Sequence, residues 1–165
     1  SIDRTEFDFT LENDLALFDP LIELLQQIVH GMGLCDDTDQ FRIGMALKEA
    51  LLNALFRGNL EITFQQMRGK VGPLLAGEPV PIVEERRRQF PDRRIRMKVR
   101  INPRQAEFVI RDDGRGFDTR NVAGPVDLGA LHADAGRGIV LMRAFFDDVT
   151  YNEQGNEVTL VKRRA

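Results

Sequence analysis

One stretch decides how this chain is interpreted: Val109-Ile110-Arg111-Asp112-Asp113-Gly114-Arg115-Gly116-Phe117-Asp118. An apolar run gives way to two acids, and two glycines then flank a single charged residue. The pattern predicts a strand that runs into a tight turn, where the backbone approaches another group closely or takes a positive φ. A carboxylate at the end of that strand would be a fixed acceptor for a polar ligand. Asp-Gly after a strand is also common in ordinary hairpins, so the stretch alone leaves both interpretations open.

Length and composition predict one globular domain with a substantial core. The chain has 165 residues, of which 42% are hydrophobic and 30% are charged, with a net charge of −3. This balance argues against non-specific nucleic-acid binding. The single cysteine, Cys35, excludes an internal disulfide, and two histidines without a cysteine cluster exclude a structural zinc site. No apolar run reaches the ~18 residues of a membrane span, and no signal peptide is visible, so we expect a cytoplasmic protein that does not bind membranes.

The first third of the chain predicts a strand and two helices. Residues 5–11 alternate between polar and apolar, which indicates a half-buried strand. Apolar residues at helical spacing from Leu21 to Met32 predict a first amphipathic helix. The acids of residues 36–39 can cap and begin a second helix, which continues to about Leu55 and ends near Gly58.

The second predicted helix carries two polar residues among apolar and small ones. Glu49 and Asn53 are four residues apart, so their side chains share one face of the helix. An unpaired amide in a protein interior costs several kcal/mol, on the order of 2–7, so such a pair is rarely buried without a purpose. A solvated polar face is the alternative explanation.

Residues 59–94 form the least regular part of the sequence. Glycines and prolines interrupt it, and residues 84–88 suggest one short charged helix. The basic cluster from Arg86 to Arg100 lacks interleaved aromatic residues, which favours a solvated face over a nucleic-acid site. We interpret the segment as an insertion or a partner surface.

The second half of the chain predicts an antiparallel pair, a long loop, a helix and a closing hairpin. Residues 95–101 and 106–111 are the pair. The loop over 119–135 exceeds the ~12 residues of a plain connection, which favours a lid. Gly136-Arg137-Gly138 then opens a helix from Ile139 to Phe146, and glycines at a helix start expose N–H groups that can bind an anion. Residues 149–151 and 158–161 form the hairpin.

Three of these elements, in this order, resemble the Bergerat ATP-binding fold of the GHKL superfamily. They are the helix with Glu49 and Asn53, the Asp112-x-Gly114-x-Gly116-Phe117 turn, and the Gly136-x-Gly138-Ile139 helix start. The segment from Glu49 to Asn59 is similar to the N box of that superfamily. The second glycine box and the closing hairpin resemble the anti-sigma-factor serine kinases of the RsbW and SpoIIAB type.

The resemblance implies a fold and a set of roles. The fold is an α+β two-layer sandwich, with a mixed, mostly antiparallel sheet covered on one face by about three helices. Asp112 would accept the adenine amino group, Asn53 would coordinate Mg²⁺, and Glu49 would be the general base toward a serine hydroxyl. The two glycine boxes would hold the rest of ATP, under a lid at about 119–135. Their residues are Gly114, Gly116, Phe117, Gly136, Arg137, Gly138 and Ile139.

The resemblance also implies partners. A kinase of this branch sequesters a sigma factor or a similar protein, phosphorylates an antagonist protein, and forms a homodimer. Two features depart from the branch: Arg57 stands where a histidine is frequent, and the middle segment is longer. The alternatives are a nucleotide-responsive binding module without kinase activity, and the catalytic domain of a larger signalling protein. No Gly-x-x-x-x-Gly-Lys-Ser/Thr motif occurs, which excludes P-loop chemistry.

Overall fold

The described residues of the protein fold around a five-stranded sheet in which neighbouring strands pair antiparallel. The computed structural model describes residues 3–117 and 134–165, with side chains for 3–117 and 138–165. The strands are β1 (Thr5–Leu11), β2 (Ile95–Ile101), β3 (Gln105–Asp112), β4 (Asp148–Tyr151) and β5 (Glu157–Arg163). Their order across the sheet is β1-β2-β3-β5-β4. The predicted fold class is confirmed, and the sheet of the described residues is antiparallel throughout instead of mixed.

One face of the sheet is buried and the other is solvated. In β2 the four apolar residues are buried, whereas Arg96, Lys98 and Arg100 between them are exposed. The alternation arises because successive side chains of a strand point to opposite faces. Three main helices, α1 (Phe18–Gly31), α2 (Asp37–Asn53) and α6 (Asp134–Phe145), accompany the sheet, with α2 packed between α1 and α6.

Local signals explain where α1 and α2 begin. The Asp14 carboxylate accepts a hydrogen bond from Ala16 N in a 3₁₀ turn that leads into α1. The Asp36 carboxylate accepts a hydrogen bond from Asp39 N at 2.8 Å, so it caps α2. Such a cap satisfies one of the N–H groups that a helix leaves unpaired at its start, and it is worth about 1 kcal/mol.

The core lies between the helices and the buried face of the sheet. Phe18, Leu25 and Leu47 of the helices and Phe108 of β3 are fully buried. The Phe108 ring meets the Phe146 ring edge to face, with 5.8 Å between their centroids. Each such side chain stabilises the fold by about 1.5–3 kcal/mol relative to an exposed one.

The middle segment is more regular than its sequence predicted. After α2 the chain makes a π-helical turn, Ala54–Asn59, and then forms α3 (Phe64–Met67), α4 (Val71–Leu75) and α5 (Pro81–Gln89). Thr63 and Gln66 form a reciprocal capping box at the start of α3. Met67, Val80 and Val83 are buried in the common core, so this segment is packed onto the domain.

The last helix begins earlier than predicted. α6 starts at Asp134, five residues before Ile139, so Gly136 and Gly138 lie within its first turns instead of ahead of it. Most of the predicted lid at 119–135 falls on 118–133, outside the described residues. Within the described parts of the chain, no helix is long and apolar enough to cross a membrane.

Candidate functional site

The candidate site is centred on the turn that follows β3. Asp112 is the last residue of that strand, and only 7% of its surface is exposed. Its Oδ1 accepts a hydrogen bond from Gly114 N at 2.8 Å. A Cβ added to Gly58 would lie 2.2 Å from Asp112 Cγ. The carboxylate is therefore packed against the π-helical turn, and only a glycine fits at position 58.

The surroundings of Asp112 disfavour its charge. Burial, with the neighbouring Asp113 as a smaller cause, raises the pKa of Asp112 to about 6, although the hydrogen bond from Gly114 N acts in the opposite direction. At neutral pH the carboxylate is still mostly ionised, in a place where the charged form is unfavourable. Such perturbed groups are concentrated at binding and catalytic sites.

The hairpin that closes the chain supports this turn. Gly116 has φ of +85°, and a Cβ there would lie 1.9 Å from Gln154 O in the turn between β4 and β5. Asp112 N donates to Asn156 O at 2.9 Å. The second glycine of the Gly-x-Gly pair is thus required by both its backbone conformation and the close approach of the hairpin.

Asp113, the second acid of the opening stretch, is a structural anchor of the turn. Its side chain accepts a hydrogen bond from Arg94 N at 2.8 Å and forms an ion pair with Arg96 at 2.7 Å. These contacts fasten the turn to the start of β2.

Asn59 is a functional candidate that the sequence reasoning missed. It is fully buried, and its Oδ1 accepts a hydrogen bond from Asp113 N at 2.7 Å. Its Nδ2 donates to Asn13 Oδ1 at 2.8 Å. Asn59 therefore ties the end of the π-helical turn to the residue after Asp112. Its signal in the sequence was its place directly after Gly58, at the end of the segment that resembles the N box.

Arginines of the middle segment bind the chain at the end of the same π-helical turn. The prediction that the basic cluster from Arg86 to Arg100 is a solvated face was therefore partly wrong. Arg86 donates to the carbonyl oxygens of Leu60 and Glu61, at 3.1 Å and 2.7 Å. Arg93 donates to Asn59 O at 2.8 Å and to the Glu61 carboxylate at 2.7 Å. Carbonyl groups at the end of a helical segment lack internal partners, and these guanidinium groups supply them.

Glu61 connects the middle segment to the Gly-x-Gly turn. It is the one non-glycine residue of the described chain with a positive φ, +50°, and its carboxylate pairs with Arg93 and Arg115. Burial acts against its ionisation, but the hydrogen bonds from these two arginines hold the pKa of Glu61 below its ordinary value. A strained backbone kept by two ion pairs indicates a constrained junction.

Glu49 and Asn53 meet the second glycine box. A Cβ added to Gly138 would lie 3.1 Å from Asn53 Nδ2 and 3.2 Å from Glu49 Oε2. Both side chains are half-buried and face the same space, as their spacing predicted. The absence of a side chain at position 138 lets α6 approach α2 at these two polar groups. Their roles in binding and catalysis stay a prediction.

Arg57 lies one turn beyond Asn53 and stacks on aromatic rings. Its guanidinium is 3.8 Å from the centroid of the Phe64 ring and 5.9 Å from that of Phe117. Phe117 in turn meets Tyr151 edge to face at 5.1 Å. Burial lowers the pKa of Arg57. Burial also raises the pKa of Tyr151 to about 12, so the tyrosine is neutral near pH 7.

The remaining predicted residues are only partly described. Ile139 is half-buried and packs on the core. The backbone of Gly136 and Arg137 is helical, and the Arg137 side chain lies outside the described residues. Among residues 3–117 and 138–165, no three His, Cys, Asp or Glu side chains gather into a metal site.

A comparison with known families agrees with this geometry. The family model of the histidine kinase-like ATPase domain matches residues 80–162, just over half of the chain. The chain belongs to this family. Among curated proteins, no match to the chain was found.

Membership of the histidine kinase-like ATPase family confirms the GHKL resemblance and implies that the protein binds ATP. The matched residues include the turn with Asp112 and the α6 glycines, whereas Glu49 and Asn53 precede them. The antiparallel sheet with its layer of helices agrees with the fold of the family.

Proposed function

We propose that this protein binds ATP together with Mg²⁺ and transfers the γ-phosphoryl group to a serine or threonine hydroxyl of a protein. The observation that carries the proposal is the meeting of Glu49, Asn53 and Gly138, with hypothetical Cβ distances of 3.1 Å and 3.2 Å. A base, a metal ligand and the start of a helix in one place are parts that phosphoryl transfer uses.

The adenine end of the nucleotide belongs at Asp112. Its carboxylate is buried beside the bare backbone of Gly58 and Gly114, and it would accept a hydrogen bond from the adenine amino group. An ionised acceptor makes a stronger hydrogen bond than a neutral one. Burial has removed water from this carboxylate and raised its pKa to about 6. The adenine amino group would replace water as a hydrogen-bond donor when ATP binds.

The phosphate end belongs between α2 and the start of α6. N–H groups in the first turn of a helix attract anions, and Gly136 lies in that turn of α6, with Gly138 just beyond it. The amide oxygen of Asn53 is a hard oxygen donor of the kind Mg²⁺ prefers, and Mg²⁺ needs few protein ligands, so the residues present fit this ion. When bound, Mg²⁺ would neutralise charge on the phosphate oxygens.

The transfer step uses Glu49 as the proton acceptor. The acceptor hydroxyl oxygen forms a bond to the γ-phosphorus, and the bond from that phosphorus to the β,γ-bridging oxygen breaks. ADP leaves with that electron pair, and the hydroxyl proton passes to the Glu49 carboxylate.

The partners follow from the anti-sigma-factor branch. The Gly136–Phe145 segment and the closing hairpin around Asn152 and Gly155 resemble that branch. We therefore assign a sigma factor or a similar regulator as the protein held, and an antagonist protein as the phosphate acceptor.

Phosphate transfer from γ-labelled ATP to the purified products of the neighbouring genes tests the proposal. Glu49→Gln should keep ATP binding and lose labelling, since the amide cannot accept the proton. The same substitution at Glu23, exposed on α1, is the control and should label as the wild type does. Equal labelling by Glu49→Gln would remove Glu49 as the base. ATP binding without labelling of any product would favour a nucleotide-responsive binding module.

A further inference from the structure

A cavity of about 410 Å³ lies between the C-terminal half of α2 and the middle segment. Its size is within the range of ligand pockets, roughly 300–1,000 Å³. One wall comes from Glu49 to Arg57 of α2 and its π-helical extension, and the other from Ile62 to Pro73. The part of the chain that was predicted to be an insertion therefore supplies half of this cavity.

The cavity is apolar with one charged group of each sign. Its apolar lining includes Leu52, Phe56, Ile62, Phe64, Met67 and Val71. Glu49 and Arg57 also line it, and they are eight residues apart, about 12 Å along a helix. Among the residues that the structure describes, no carboxylate forms an ion pair with Arg57. Because the Arg57 guanidinium is half-buried in an apolar wall, the cavity favours a ligand that carries an anionic group.

The cavity adjoins the proposed phosphoryl-transfer residues but not the adenine end. Glu49 and Asn53 belong to its lining, whereas Asp112, Gly114 and Gly116 do not. A group bound here would reach Glu49 from the side of α3 and α4. This is the direction from which a phosphate acceptor can approach while ATP remains at Asp112.

We propose that this cavity is the docking site for the acceptor segment of the protein substrate. An apolar side chain of that segment fills the space against Phe64 and Met67, and an acidic side chain pairs with Arg57. The neighbouring serine or threonine hydroxyl then lies at the Glu49 carboxylate, where the transfer described above takes place. The assignment rests on the proposed kinase function and adds the recognition of its substrate.

Gly72→Trp tests the proposal by filling the cavity from its wall. Gly72 lies in α4 and is exposed, and no atom outside its chain neighbours and its own helix backbone lies within 4 Å of a hypothetical Cβ. Because Pro73 follows, helical backbone is less favourable at position 72 for a residue with a side chain, so titration with ATP also checks that the variant is folded. Gly31→Trp is the matched control, because Gly31 ends α1, is equally open and lies outside the cavity.

The probe is a degenerate library of serine- and threonine-centred peptides, incubated with γ-labelled ATP. Wild type and Gly31→Trp should label peptides with an apolar and an acidic residue near the hydroxyl, and Gly72→Trp should label them at least tenfold less. Titration of each protein with ATP and Mg²⁺ accompanies the assay, and the dissociation constants should agree within about twofold.

Each other result overturns the docking site in a distinguishable way. Equal labelling by Gly72→Trp and wild type would show that the cavity does not receive the acceptor. Loss of ATP affinity in Gly72→Trp alone would assign the cavity to the nucleotide. Labelling without preference for apolar and acidic neighbours would contradict recognition of a segment of this chemistry. No labelled peptide at all, or a wild type that fails to bind ATP, would instead refute the proposed function itself.

Discussion

The buried carboxylate of Asp112 should make the folded protein less stable than it would be with a neutral group there. Its pKa rises from 3.8 in the unfolded reference to about 6 in the folded protein. The folded state binds this proton more tightly than the unfolded state does. The contribution of Asp112 to the free energy of unfolding is therefore fully present below pH ~4, where the group is protonated in both states. That contribution is lost as the pH rises through about 6, and the loss is about 3 kcal/mol when ionisation is complete.

Asp112→Asn removes this titration while keeping an oxygen that can accept from Gly114 N. At pH 7.5 the variant should exceed the wild type in free energy of unfolding by up to about 3 kcal/mol, and at pH 4.5 by only about 1 kcal/mol. The exposed Glu6 and the paired Glu61, whose pKa values are lowered, titrate in the opposite sense. They are common to both proteins, so their effect cancels in the difference.

Urea unfolding of both proteins at several pH values between 4.5 and 7.5 measures this difference. Asp8→Asn is the control, because Asp8 is exposed on the solvated face of β1. A difference between Asp112→Asn and wild type that stays constant with pH would refute the reasoning, as would a wild type that is the more stable at pH 7.5.

Two further substitutions test Asn59, which holds the residue after Asp112, and Gly138, at the proposed phosphate end. Asn59→Ala leaves Asp113 N without its acceptor, which should lower the free energy of unfolding by about 1–3 kcal/mol and weaken ATP binding. Asn13→Ala should leave ATP affinity nearly unchanged, because Asn59 keeps its contact with Asp113, and equal affinities of the two variants would contradict the positioning role of Asn59. Gly138→Ala places a methyl group 3.1–3.2 Å from the Asn53 and Glu49 side chains, so ATP affinity should fall while urea unfolding of the free protein changes by less than about 1 kcal/mol. Unchanged ATP affinity in Gly138→Ala would place the phosphates elsewhere.

The parts of the fold that sequence predicted well are those fixed by local chemistry. The alternation in β2 determines its buried face, and Asp36 determines where α2 begins. Both signals act over a few residues, and neither depends on a distant partner.

The start of α6 was predicted too late because Gly136 and Gly138 were interpreted as the entry to the helix. Gly138 destabilises the helix by about 1 kcal/mol relative to alanine, yet its missing side chain lets α6 pack against Glu49 and Asn53. A tertiary contact therefore outweighs the local preference. The short helices α3 and α4, of four and five residues, are below the length at which periodicity can be recognised.

The junction around Asn59 could not be found from local pattern. Its partners Asn13, Arg93 and Asp113 are 34 to 54 residues away along the chain. Only the fold brings them together, through the packing of the π-helical turn against β2 and β3. The turn residues Asp112, Gly114 and Gly116 were recognised because one short motif contains all three.

The central claim is that Asp112 recognises the adenine base of ATP. The most direct measurement is the free energy of unfolding with ATP, with GTP and without nucleotide, in the presence of Mg²⁺, for wild type and Asp112→Asn. At ~100 times its dissociation constant ATP should stabilise the wild type by about 2.7 kcal/mol. GTP, which carries a carbonyl in place of the amino group, should stabilise it far less at the same concentration, and Asp112→Asn should lose the effect of ATP. Equal stabilisation by ATP and GTP, or an undiminished effect of ATP on Asp112→Asn, would contradict the account.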